Sequence, residues 1–137
     1  MTDAEFLASL GHGAIAPTEF HHAGHVRMGF CLARKYGFGE ACMRARAILN
    51  SIAERAGKPQ LYHETVTVAF LALINARAAA QAHADFTSFA AANPDLFDKK
   101  TLARFYDEEV LDSALARRAF LLPGDDFKRE RPLPHAR

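Results

Sequence analysis

Four histidines and one glutamate stand where their chemistry can be shared. His21, His22 and His25 fall within one short run, and His63-Glu64 follows in a later segment. Residues three or four apart lie on one face of a helix, so His25 pairs with either His22 or His21. Paired imidazoles at such spacing ligate zinc on helices, and His63 supplies a third ligand if its helix packs beside the first. Adjacent helical residues diverge by ~100°, so His63 and Glu64 cannot both face one ion. The economical arrangement takes His22, His25 and His63 as metal ligands. Glu64 then stands behind them, as a general base or as the carboxylate that orients a ligand imidazole. Tyr62 and Thr65 flank it and line the same pocket as hydrogen-bond donors. The same divergence sends one of His21 and His22 to solvent. Three imidazoles favour zinc, with iron, nickel and copper open.

A different chemistry fits the same residues. Buried polar groups require partners. His63 paired with Glu64 or a hydroxyl would make a metal-free network that holds helices in register. A third reading leaves these residues unconnected. His12, His83 and His135 read as surface or loop residues.

Helices must position the set. Residues 1–17 form an N-terminal segment in which Ala4 to Leu10 fit a short helix ended by Gly11 and Gly13. Pro17-Thr18 opens the first major helix, with Thr18 as N-cap, and Gly37 stops it after Tyr36. Met28, Leu32 and Tyr36 mark its apolar stripe, and the stripe extended backward reaches His25 and His21. A second helix runs from about Gly39 to Ala56, with Cys42, Ala45, Leu49, Ile52 and Ala56 inward. Gly57 and Pro59 break the chain before a third, from about Gln60 to His83. That helix is apolar nearly all round through Val66, Val68, Phe70, Leu71, Leu73 and Ile74, which predicts a central position. Shorter helices are expected at Asp85 to Ala92, Thr101 to Tyr106 and Ser113 to Phe120. Arg77 is expected at the surface. The fold class is therefore all-α, a single-domain helical bundle over residues 18–123. Residues 124–137 read as a polar flexible tail.

Composition narrows the function. The chain has 137 residues, half of them hydrophobic and 24% charged, so it can bury a core without disulfide staples. The formal net charge is +1 and no basic block appears, so nucleic acid is not an expected partner. The most apolar run, Val66 to Ile74, is too short to span a membrane. Cys31 and Cys42 form neither a CxxC nor a disulfide framework and suit a cytoplasmic location. A small-molecule ligand and a second copy of the chain remain open as partners. No Gly-rich phosphate loop and no GxSxG nucleophile motif is present.

The run Phe20-His21-His22-Ala23-Gly24-His25, followed by Tyr62-His63-Glu64-Thr65, resembles a family of small bacterial all-helical proteins of unassigned activity. The resemblance continues through Asn93-Pro94-Asp95-Leu96 and Ser113 to Arg117, ends on Phe120 to Pro123, and covers roughly residues 18–123. It singles out His22, His25, His63 and Glu64, leaves His21 at a variable position, and implies no activity. The function expected is a His-rich site between two helices. It binds a divalent transition metal or a small polar ligand, with a metal-dependent enzyme as one form. The alternative is a non-enzymatic interaction or assembly module with a structural polar network.

Overall fold

The chain starts its first helix with a reciprocal cap. The Thr2 hydroxyl accepts the Glu5 N–H at 3.1 Å, and the Glu5 carboxylate accepts the Thr2 N–H at 3.1 Å. The computed structural model describes residues 1–124. The tail reading of 124–137, and His135 with it, therefore falls outside the described residues apart from Gly124. The α-helices are α1 (Asp3–Gly11), α2 (His22–Tyr36), α3 (Phe38–Arg55), α4 (Glu64–Ala80), α5 (Phe86–Ala92), α6 (Glu108–Leu111) and α7 (Ala114–Arg118). Short 3-10 turns stand at Pro17–Glu19, Pro59–Leu61, Pro94–Phe97 and Lys99–Arg104. No strand occurs among the described residues, so the domain is an all-helical bundle. No helix among them is long and apolar enough to cross a membrane.

The helix expected at Thr101 to Tyr106 is a 3-10 turn over Lys99–Arg104, and α6 has no counterpart in the sequence expectation. Three further boundaries differ from that expectation, and each moves a histidine. Pro17 starts only a 3-10 turn, and α2 begins at His22 with His21 as its N-cap. The intervening Phe20 is extended and turns its ring inward, where it is 7% exposed. Its ring meets His25 at 4.5 Å between centroids, an apolar staple from the residue before the cap to the fourth residue of the helix. Gly24 makes room for it: a Cβ there would lie 3.1 Å from the Phe20 ring. At α4, Gln60 to Tyr62 stay outside the helix, and His63 is the N-cap rather than a helical residue. The helix ends at Ala80, so His83 lies on a loop. Gly37, at φ +79°, serves α2 and α3 at once as cap, a conformation that other residues adopt only with strain.

Two apolar clusters explain why α4 is apolar nearly all round. One face packs on α2 and α3 through the buried Leu71 and Ile74. The other receives Val66, Ala69 and Phe70 against Leu102, Tyr106, Val110, Ala116 and Leu121 of the C-terminal elements. The α4 helix is thus central by its neighbours, although α2 is the more deeply buried, with Val26, Phe30 and Leu32 each 1% exposed. Arg77 is not a free surface cation. It holds Asp95 bidentately at 2.5 and 2.8 Å, and Arg104 adds a contact of 3.2 Å to the same carboxylate. The Thr101 hydroxyl donates to the Asp95 carbonyl, which fixes the turn that follows Asn93-Pro94.

The α2 and α4 helices pack tightly at Gly29, where a Cβ would fall 2.8 Å from Ile74 Cδ1 and 3.3 Å from Leu71 Cδ2. Gly29→Leu is expected to destabilise the fold by about 1–3 kcal/mol, the usual cost of overpacking a closed seam. Urea unfolding checks this, and an unchanged midpoint would refute the close packing of α2 on α4.

Candidate functional site

The Tyr62-His63-Glu64-Thr65 run lies where α4 starts, and each of its side chains reaches a different element. The first N–H groups of a helix have no partner within the helix. His63 Nδ1 accepts one of them, from Val66, at 3.1 Å. Its Nε2 donates to the Leu111 carbonyl, the last residue of α6, at 2.6 Å. These partners assign the neutral tautomer with its proton on Nε2. Burial lowers the His63 pKa, and the hydrogen bond to Leu111 opposes the shift.

Glu64 turns toward α3. Its Oε1 accepts Arg46 Nε at 3.0 Å and Tyr62 Oη at 2.5 Å, and its Oε2 accepts Arg46 Nη2 at 2.6 Å. The Arg46 hydrogen bonds hold the carboxyl below its usual range. Burial and the Glu64 hydrogen bond push the Tyr62 hydroxyl up to about 12. A carboxylate with both oxygens occupied and a lowered pKa is a weak proton acceptor. Arg46, in the middle of α3, was not singled out by the sequence. Nothing local links it to a glutamate eighteen positions on.

Thr65 is fully buried. Its hydroxyl donates to the Ala119 carbonyl at 2.7 Å and accepts the Leu121 N–H at 3.1 Å. The Leu121 carbonyl in turn accepts the Tyr106 hydroxyl at 2.7 Å. The extended segment after α7 is thereby pinned by two side chains. The Thr67 hydroxyl closes the same turn by donating to the His63 carbonyl at 2.7 Å.

The histidines of α2 occupy a separate place. His22 Nε2 donates to the Leu96 carbonyl at 2.9 Å and ties α2 to the turn that starts at Pro94. Its ring meets Phe70 of α4 edge-on at 5.1 Å and His25 at 6.4 Å between centroids. His22 and His25 line a small cavity of about 60 Å³ at the α2–α4 seam, with Val66, Thr67 and Phe70 on its other wall. Neither ring nitrogen of His25 has a hydrogen bond within the described residues, although its ring packs on Phe20 and His22. The His25 pKa is pushed down to about 4, first by lost hydration and then by the charges of His22, Lys99 and His21. The residue as a whole is exposed to solvent, which weakens the first effect. His21, the cap of α2, is exposed.

The set expected to share one ion is therefore divided. His22 and His25 come together at the α2–α4 seam, while His63 is turned to α6 and Glu64 to α3. Among the described residues, no three His, Cys, Asp or Glu side chains gather as a group that can hold a metal ion. Tyr62 and Thr65 do not line the His22–His25 cavity. His12 is an exposed cap residue after α1. His83 is half-buried, with Nδ1 3.0 Å from the Ser88 hydroxyl and its ring on the edge of Phe89. Comparison of the chain with family models, curated proteins and solved structures finds no match.

Two outcomes follow. Thr65→Val keeps the volume but strands a buried carbonyl and a buried N–H, so a loss of about 1–3 kcal/mol is expected in urea unfolding. A change within a few tenths would remove Thr65 from the network. Acid titration tests the histidines. Their folded pKa values lie below the ordinary 6.5, so the unfolded chain takes up protons first as pH falls. Stability is complete above pH 6.5 and declines from there toward pH 4. The carboxylate of Glu64 adds its own loss only below its ordinary 4.5. A flat unfolding midpoint across the upper window would contradict both lowered pKa values.

Proposed function

We propose that the chain is a non-enzymatic interaction or assembly module and that its His-Glu motif is the polar framework holding the bundle together. The observation that carries this reading is the complete use of the His63 ring, with one nitrogen capping α4 and the other bonded to the end of α6. To ligate a metal through Nδ1 this imidazole must release the Val66 N–H and uncap α4, while ligation through Nε2 would require it to shed the proton it donates to Leu111 and rearrange. The same economy runs through Glu64, Thr65 and His22, whose polar atoms are directed at α3, the 119–121 segment and Leu96. The motif residues thus secure the short C-terminal elements whose Val110, Ala116 and Leu121 make up part of the second apolar cluster. The four-residue α6 and five-residue α7 are too short to persist without such anchors.

A second reading rests on His25. Its ring nitrogens are uncommitted and it lines a cavity beside His22. Two imidazoles there suit a small polar ligand, or a zinc, iron, nickel or copper ion whose remaining positions are filled from outside the protein.

Thermal melts with zinc chloride and with EDTA separate the readings. Under the framework reading the wild-type melt is insensitive to both additions. His63→Ala then melts several degrees lower, because a lost N-cap costs about 0.5–2 kcal/mol and the Leu111 carbonyl loses its donor. A chelator-sensitive wild type whose sensitivity vanishes in His63→Ala would overturn it and restore a three-imidazole centre. Zinc stabilisation that survives His63→Ala but disappears in His25→Gln would establish the second reading.

A further inference from the structure

A groove of about 700 Å³ opens between α1, α2 and α3. It is separate from the His22–His25 cavity and shares no lining residue with it. Its width follows from short side chains: Ala4, Ala8 and Gly11 share one face of α1 and stand across from Ala47 and Ile48 of α3. Leu7, Leu32 and Cys31 complete an apolar floor. Burial pushes the Cys31 thiol up to about 11, so it is neutral at physiological pH and adds no charge.

The rim is cationic. Arg34, Lys35 and Arg44 line it, against Asp3 as the single acid. Asp3 is already committed, to Arg27 at 3.0 Å and to the Phe86 N–H at 2.9 Å. Arg34 donates through Nη1 to the His83 and Ala84 carbonyls, which leaves its charge unneutralised. Lys35 contacts the Tyr36 ring face at 5.3 Å and has no acidic partner among the described residues. Arg44 stacks on the same ring at 3.8 Å and pairs with the exposed Glu40 at 2.8 Å, a solvated helix pair of little strength.

We propose that this groove binds an anionic amphiphile of the medium-chain fatty carboxylate class, with the chain on the Leu7–Leu32–Ile48 floor and the headgroup between Lys35 and Arg44. The volume lies within the ~300–1,000 Å³ typical of small-molecule sites. An apolar floor alone would accept any hydrophobe. The unbalanced cations at the mouth select the sign of the headgroup, because a charged hydrogen bond to a carboxylate is about twice as strong as a neutral one. The site does not depend on the role of His63, and its failure would leave the framework reading intact.

Calorimetric titration with monomeric dodecanoate tests the proposal. Tyrosine fluorescence offers a second readout, since Tyr36 lines the groove and the chain has no tryptophan. Dodecanoate is expected to bind, and dodecyltrimethylammonium to bind at least about tenfold more weakly. Lys35→Gln combined with Arg44→Gln should weaken dodecanoate about tenfold or more. Ala47→Phe should abolish binding by filling the groove from an exposed position, with an unchanged melt showing that the fold persists. Absence of dodecanoate binding to the wild type would overturn the proposal. So would binding unaffected by Ala47→Phe, or equal affinity for the cationic amphiphile. Binding only to anionic lipid vesicles, indifferent to Ala47→Phe, would replace the groove with a membrane-facing surface.

Discussion

The first turn of α4 presents backbone N–H groups that no residue within the helix can accept. His63 answers that constraint at the turn itself by accepting the Val66 N–H through Nδ1. Its neighbours reach outward, Glu64 to Arg46 and Thr65 to Ala119 and Leu121. Because α4 is packed on two sides, its starting point fixes both apolar clusters. If α4 slipped by one residue in its packing, the side chains facing α2 would be those ~100° round the helix, and Leu71 and Ile74 would leave the seam.

The seam depends on a second constraint of a different kind. Gly29 lets the two helix backbones approach until Ile74 and Leu71 fill the space a side chain would take. The α2 helix is held in rotation by the Phe20 ring against His25 and by the His22 bond to Leu96. The Arg77–Asp95–Arg104 cluster then fixes the turn that carries Leu96. Helix packing, aromatic contact and ion pairing thus meet at one short irregular segment. That is why the chain between α5 and α6 can be ordered with only 3-10 turns.

Polar residues in this bundle mostly serve backbone groups. The C-terminal elements bury Leu102, Tyr106, Val110 and Leu121, and the carbonyls and N–H groups that go in with them need partners once they leave water. His63, Thr65 and Tyr106 supply them from the interior side. The α1–α3 groove is the opposite case. There the side chains are small, the charges face outward, and cations remain without an equal number of acids. The two regions share α2 but not their chemistry.

The sequence by itself determined the helices, because apolar residues recur with the helical period and Gly37, Gly57 and Pro59 interrupt them at defined points. It also determined which polar residues would be concentrated near α2 and α4, since local spacing places His22 and His25 on one face. It could not determine partners separated along the chain. His63 at the end of one loop and Leu111 at the end of a short helix meet only after α4 has packed, and so do Glu64 and Arg46. The start of α2 was misplaced for a related reason. Thr18 has the chemistry of a cap, but the burial of Phe20 outweighs it and delays the helix to His22. Capping energies of about 1 kcal/mol yield to the burial of an aromatic ring, worth about 1.5–3 kcal/mol, and that balance is settled by tertiary packing.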